Sequence, residues 1–122
     1  SNNIGSDYFA SSKLNREQTR AKNKETLMNI INDDKIASAD KKSAIKQVAA
    51  MTKISEKENA AELMLQAKGF ENAIVSISDG NADVVISSEG LTNQQIAQIE
   101  DIVKRKTGIA ADKIVITPVN MK

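Results

Sequence analysis

The sequence predicts an α+β fold, a two-layer sandwich in which helices cover one face of a small three-stranded sheet and long helices precede it. Three observations carry this expectation. A breaker-free pattern rich in Lys, Arg, Glu, Gln and Ala runs from about Asp7 to Ile31. Two β-rich runs, 73–78 and 82–87, flank Asp79-Gly80-Asn81, whose Gly and Asn tolerate the positive φ of a tight hairpin. A stripe of Ile96, Ile99, Ile102 and Val103 has clean helical period. Together they set the order α-α-(α)-β-β-α-β.

Taken in order, residues 1–5 read as a loose end, and 7–31 as a helix that is polar nearly all round before Leu27, Met28, Ile30 and Ile31 supply an apolar end. Asn32-Asp33-Asp34 interrupts it. Ser38 then offers a side-chain oxygen as N-cap, with Asp40 in the first turn, for a helix over 38–68. Its expected stripe is Ile45, Val48, Ala49 and Thr52 beside Met51, and Ser55 with Glu58 has capping-box spacing, so that the helix either kinks near Ile54 or a third one begins there, a continuous or bent helix being the favoured reading. Gly69 suits a left-handed helix stop with Phe70 folding back. The hairpin occupies 73–87. Thr92 and Gln95 open a helix over 93–107, which Gly108 and Ile109 close. A last strand spans 114–119, and Pro118 assigns it to an edge or a strand end, since proline donates nothing to a ladder. The chain divides into an N-terminal polar helix and linker, 1–36, and a sandwich domain, 37–122.

Strict alternation puts Val75 and Ile77 on one face with Val84 and Ile86, completed by Ile114 and Ile116, and this is the expected core face. The far face then carries Ile74, Ser76, Ser78, Asp83, Val85, Ser87, Val115 and Thr117. An aliphatic centre inside a rim of small polar groups is how interfaces are built, so Ile74, Val85 and Val115 are candidate contact residues. The plainer alternative is that the N-terminal helices wrap over this face. Basic residues cluster on the first helix, with Arg16 and Arg20 the candidates for partner contact, although Glu17 and Glu25 dilute them and a solvated face is the default.

Composition excludes most chemistry. The 122 residues contain no Cys and no His, which removes thiol nucleophiles, disulfides, imidazole catalysis and nearly every zinc or copper site. No catalytic, cofactor or metal residue is expected, and the chain is read as a non-enzyme. Lys plus Arg number 17 against 16 acids, so no global field draws nucleic acid or an anionic membrane. Tyr8, Phe9 and Phe70 are the only aromatics, too few for a base-stacking platform. Asp79-Gly80-Asn81-Ala82-Asp83 imitates the opening of a calcium loop, but Val84 stands where that loop needs Gly and Gly90 where it needs Glu. Glu56, Glu58, Glu62 and Glu71 surround a capping pattern and a helix end, where acids are ordinary solvated or dipole-facing residues. No apolar run is long enough to span a bilayer. A chain that begins at Ser1 without a signal pattern reads as a fragment whose anchor lies upstream.

The run from Glu58 through Ala60-Ala61-Glu62-Leu63-Met64-Leu65 to Gly69-Phe70, then Ala73-Ile74-Val75-Ser76-Ile77 and Ala82-Asp83-Val84-Val85-Ile86, resembles a ring-building motif. With the 92–107 helix and the last strand it is similar to the YscJ/FliF-like domains of secretion and flagellar basal-body rings. Within that group the whole chain resembles the stage III sporulation AH family of endospore-forming bacilli. The resemblance implies an extracytoplasmic domain carried on an N-terminal transmembrane helix of the mother-cell (outer forespore) membrane and projecting into the intermembrane space. It further implies 1:1 binding to a SpoIIQ-like forespore membrane protein, contact with its own copies in a ring, and membership with other components of a channel linking mother cell and forespore. The alternative is a KH-like module for single-stranded RNA, which the α-β-β-α-β order also resembles; no two glycines stand three apart, so its G-x-x-G loop is missing.

Overall fold

The computed structural model describes residues 7–120. The loose end expected at 1–5 lies outside the described residues. Helix α1 (Tyr8–Ile31) and helix α2 (Ser38–Ala67) form a long antiparallel pair. They are followed by β1 (Ala73–Ser78), β2 (Asn81–Ser87), α3 (Asn93–Thr107), a short 3-10 turn (Ala111–Lys113) and β3 (Ile114–Val119). The sheet order is β1-β2-β3, with β1 antiparallel and β3 parallel to β2, so β2 is central and both outer strands are edges. The α+β class, the three-stranded sheet and the order of elements are as the sequence predicts.

Local chemistry accounts for most boundaries. At the end of α2, Gly69 takes φ +98° while its amide donates to the Gln66 carbonyl (3.0 Å) and the Phe70 amide to Leu65 (2.9 Å). This paired closure satisfies carbonyls the helix leaves open and turns Phe70 back onto the core. Asp79 and Gly80 both have positive φ (52° and 78°), the two-residue turn whose twist matches a hairpin. At α3 the Gln95 amide donates to Thr92 Oγ1 (3.1 Å) and the Thr92 amide to Gln95 Oε1 (2.9 Å), a complete capping box.

Two expectations for α2 are corrected, its N-cap and its buried stripe. Its N-cap is Ala37, which makes no side-chain cap bond, because the extended backbone turns helical one residue earlier than a Ser38 cap requires. Ser55 and Glu58 do not restart a helix: α2 is continuous over 30 residues, since both side chains turn sideways toward α1 instead of back to local amides. The face turned to α1 contains Ala44, Val48 and Met51, whereas Ile45 is half exposed.

The core lies between the sheet and α2 with α3. Ala73, Val75, Ala82, Val84, Ile86 and Ile114 meet Ala61 and Leu65 of α2 and Ile99, Ile102 and Val103 of α3. Val75 pairs with Val84, which pairs with Ile116, so the predicted core face is the observed one.

Candidate functional site

The candidate site is the sheet's far face with its two edges, and the edges differ. On β1 the groups pointing away from β2 belong to alternate residues including Val75 and Ile77, because in-plane groups of a strand alternate in direction. Two helix carboxylates meet them: the Val75 amide donates to Glu62 Oε2 (2.9 Å) and the Ile77 amide to Glu58 Oε2 (2.8 Å). Arg16 Nη1 donates to the Val75 carbonyl (3.0 Å) and to Glu62 Oε2 (3.2 Å). Side chains thus replace a fourth strand along this edge.

Two buried carboxylates standing close together need positive charge, and α1 supplies it. Arg20 makes a two-pronged contact with Glu58, through Nη1 to Oε1 and Nη2 to Oε2, and also donates to Ser55 Oγ. Lys13 Nζ lies 3.8 Å from Glu62. The Glu58 hydrogen bond raises the Arg20 pKa above its ordinary value against the lowering effect of burial, with the charge of Glu58 adding to the rise. Glu58 and Glu62 are buried at 0% and 5% exposure, contrary to the expectation that they are ordinary helix-end acids. The signal in the sequence was their spacing of four on a helix face, matched by Arg16 and Arg20, also four apart.

The far face is partly covered. Phe9, at the start of α1, packs on Ile74 and Val119 with Val85 beside them, and leaves Ile74 only 6% exposed. Wrapping by the N-terminal helix therefore occurs, but at one end of the face. Beyond Phe9, Val115 is 56% exposed, beside exposed Asp83 and Thr117. Of the five residues singled out for partner contact, Val85 and Val115 stay on the accessible face, Ile74 is sealed by Phe9, and Arg16 and Arg20 direct their guanidinium groups into the fold.

Asp79 to Asp83 form a hairpin turn and strand start, and among the described residues no cluster of three or more acids could hold a metal ion. Among the same residues no helix is long and apolar enough to cross a membrane.

Comparison with known proteins gives concordant matches. The family described as "SpoIIIAH-like protein" matches residues 1–116. The "Stage III sporulation protein AH" of Bacillus subtilis (strain 168) is 23% identical over 100 residues, covering 82% of this chain and 46% of that protein. The chain therefore spans about half the length of that relative. A chain in the "Structure of the SpoIIQ-SpoIIIAH pore forming complex" superposes with a TM-score of 0.82 at 22% identity, over 93% of this chain and 98% of that one. At that identity the likeness speaks for the fold.

Proposed function

The chain belongs to the SpoIIIAH-like protein family, and on that premise we propose that it is a non-enzymatic assembly domain of a sporulation channel. In this reading it binds a SpoIIQ-like forespore membrane protein 1:1 across the intermembrane space, and its own copies associate into a ring. The parent protein anchors it in the mother-cell membrane through a transmembrane helix preceding this segment. What the domain contributes is shape and adhesive surface.

The observation that carries the proposal is the far sheet face around Val115. A valine 56% exposed near the start of the edge strand β3, with half-buried Val85 on the neighbouring strand and Ser76, Asp83 and Thr117 on the same face, gives an apolar surface within a polar border. A head-to-tail contact between copies closes into a ring when the rotation per copy permits. Such contacts are weak singly and gain strength from high local concentration on a membrane.

The test is gel filtration of the domain mixed with the extracytoplasmic domain of a SpoIIQ-like protein, using wild type, Val115→Glu and Val85→Glu. Wild type elutes as a 1:1 complex, and both variants remain folded but elute separately. Undiminished complex formation by both variants refutes the assignment of this face.

A further inference from the structure

The outer side of α2 carries a line of lysines that the fold itself does not use. Lys42, Lys46, Lys53 and Lys57 are all exposed, and among the described residues none of the four makes an ion pair. At 100° of rotation per residue they fall within about 60° of one another, a ridge about 22 Å long on one continuous helix. Exposed Ala49 and Ala50 stand between the two pairs of lysines, so nothing bulky interrupts the row. The same rotation sets the ridge about 140–180° from Glu62, which faces Arg16 of α1 and the Val75 amide. The ridge therefore looks away from α1. It belongs to the helical layer, whereas Val85 and Val115 lie on the sheet face that this layer does not cover. Between Lys42 and Lys57 the helix holds one acid, Glu56. The neighbouring α3 adds exposed Lys104, Arg105 and Lys106 against exposed Asp101 and half-buried Glu100, so it does not reverse the sign.

We infer that this ridge rests on the surface of an anionic lipid bilayer. A lysine ammonium is a hydrated point charge that demands no fixed geometry of its anion, whereas an arginine fork selects a particular carboxylate or phosphate, and the ridge holds no arginine. Lipid phosphates move laterally and gather beneath a straight row of such charges. A protein is a poor occupant, because the centre of a stable interface is apolar and depleted of lysine, and the ridge offers alanine alone between its charges. Nucleic acid is gripped by stacking aromatics or by mixed polar donors, and the ridge presents neither. The proposed placement between two membranes brings a bilayer within reach, and the choice of occupant rests on that reading. Contact through α2 leaves the far face around Val115 open, so one molecule holds membrane and partner at once.

The experiment is co-sedimentation of the chain, at low salt and millimolar lipid, with vesicles of equal parts phosphatidylglycerol and phosphatidylcholine and with vesicles of phosphatidylcholine alone. It uses no partner protein, so its failure and a failure of partner binding are read separately. Wild type binds the anionic vesicles and not the neutral ones, and binding falls steeply as salt rises toward about 0.15 M. Lys46→Gln with Lys53→Gln weakens binding about 25-fold, at about fivefold per lysine near an anionic surface. Lys22→Gln with Lys24→Gln removes the same charge from α1 and weakens it less than about threefold, because those lysines are not on the ridge. Glutamine keeps helix propensity and these side chains are exposed, so thermal melts of both variants match wild type. No binding of wild type to anionic vesicles, equal binding to neutral ones, or equal losses in the two double variants overturns the inference.

Discussion

The Glu58 carboxylate accepts the Ile77 amide at 2.8 Å, so a helix side chain does for the sheet edge what a neighbouring strand would do. Bare strand edges are templates for unwanted pairing, and closing one with hydrogen-bonded carboxylates directs any strand pairing to the other. Removing this carboxylate leaves Arg20 without its main partner and the Ile77 amide unsatisfied. Glu58→Ala is expected to cost about 3 kcal/mol or more, the range for breaking a buried charge pair, as measured by urea unfolding.

Arg20 contributes in a pH-independent way over the usual range. Its folded pKa is raised, chiefly by the Glu58 hydrogen bond, so the stabilisation is complete below the unfolded-state value and is lost only as pH rises through the folded one. Both lie in strongly alkaline solution. The stability difference between wild type and Arg20→Met is accordingly expected to be the same at about pH 7 and about pH 9 in urea melts.

Phe9 joins α1 to the far face, and its 4% exposure makes it the one fully buried residue of that helix. Phe9→Ala is expected to destabilise by about 3 kcal/mol, the lower end for a buried phenylalanine, and to increase hydrogen exchange in the first turns of α1 more than in α3.

Gly69 has φ +98° with nothing within 4 Å of an added Cβ, so a side chain there meets strain without a clash. Gly69→Ala is expected to cost about 1–2 kcal/mol in thermal or urea unfolding, with no change in partner binding.

The parts of the fold legible in the sequence are those written in local chemistry. Gly69-Phe70, Asp79-Gly80 and Thr92–Gln95 each specify a backbone conformation by residues close in sequence, and the alternation of β1 and β2 specifies the core face. What was hidden depends on contacts between residues distant in sequence. Ser55 and Glu58 have capping-box spacing, yet Arg20, 38 residues from Glu58, decides their orientation. Phe9 lies in a helix whose sequence is polar nearly all round, and only the fold brings it to Ile74 and Val119. Pro118 assigns the last strand to an edge without saying which, and the fold places it beside β2 and parallel to it.

The most direct test of the domain as a partner-binding assembly module is isothermal titration of wild type and Val115→Glu with a SpoIIQ-like extracytoplasmic domain, paired with thermal melts of each. The account predicts 1:1 binding by wild type, at least about tenfold weaker binding by the variant, and closely similar melting temperatures. Absence of binding by wild type at tens of micromolar, or equal affinity in the variant, contradicts it.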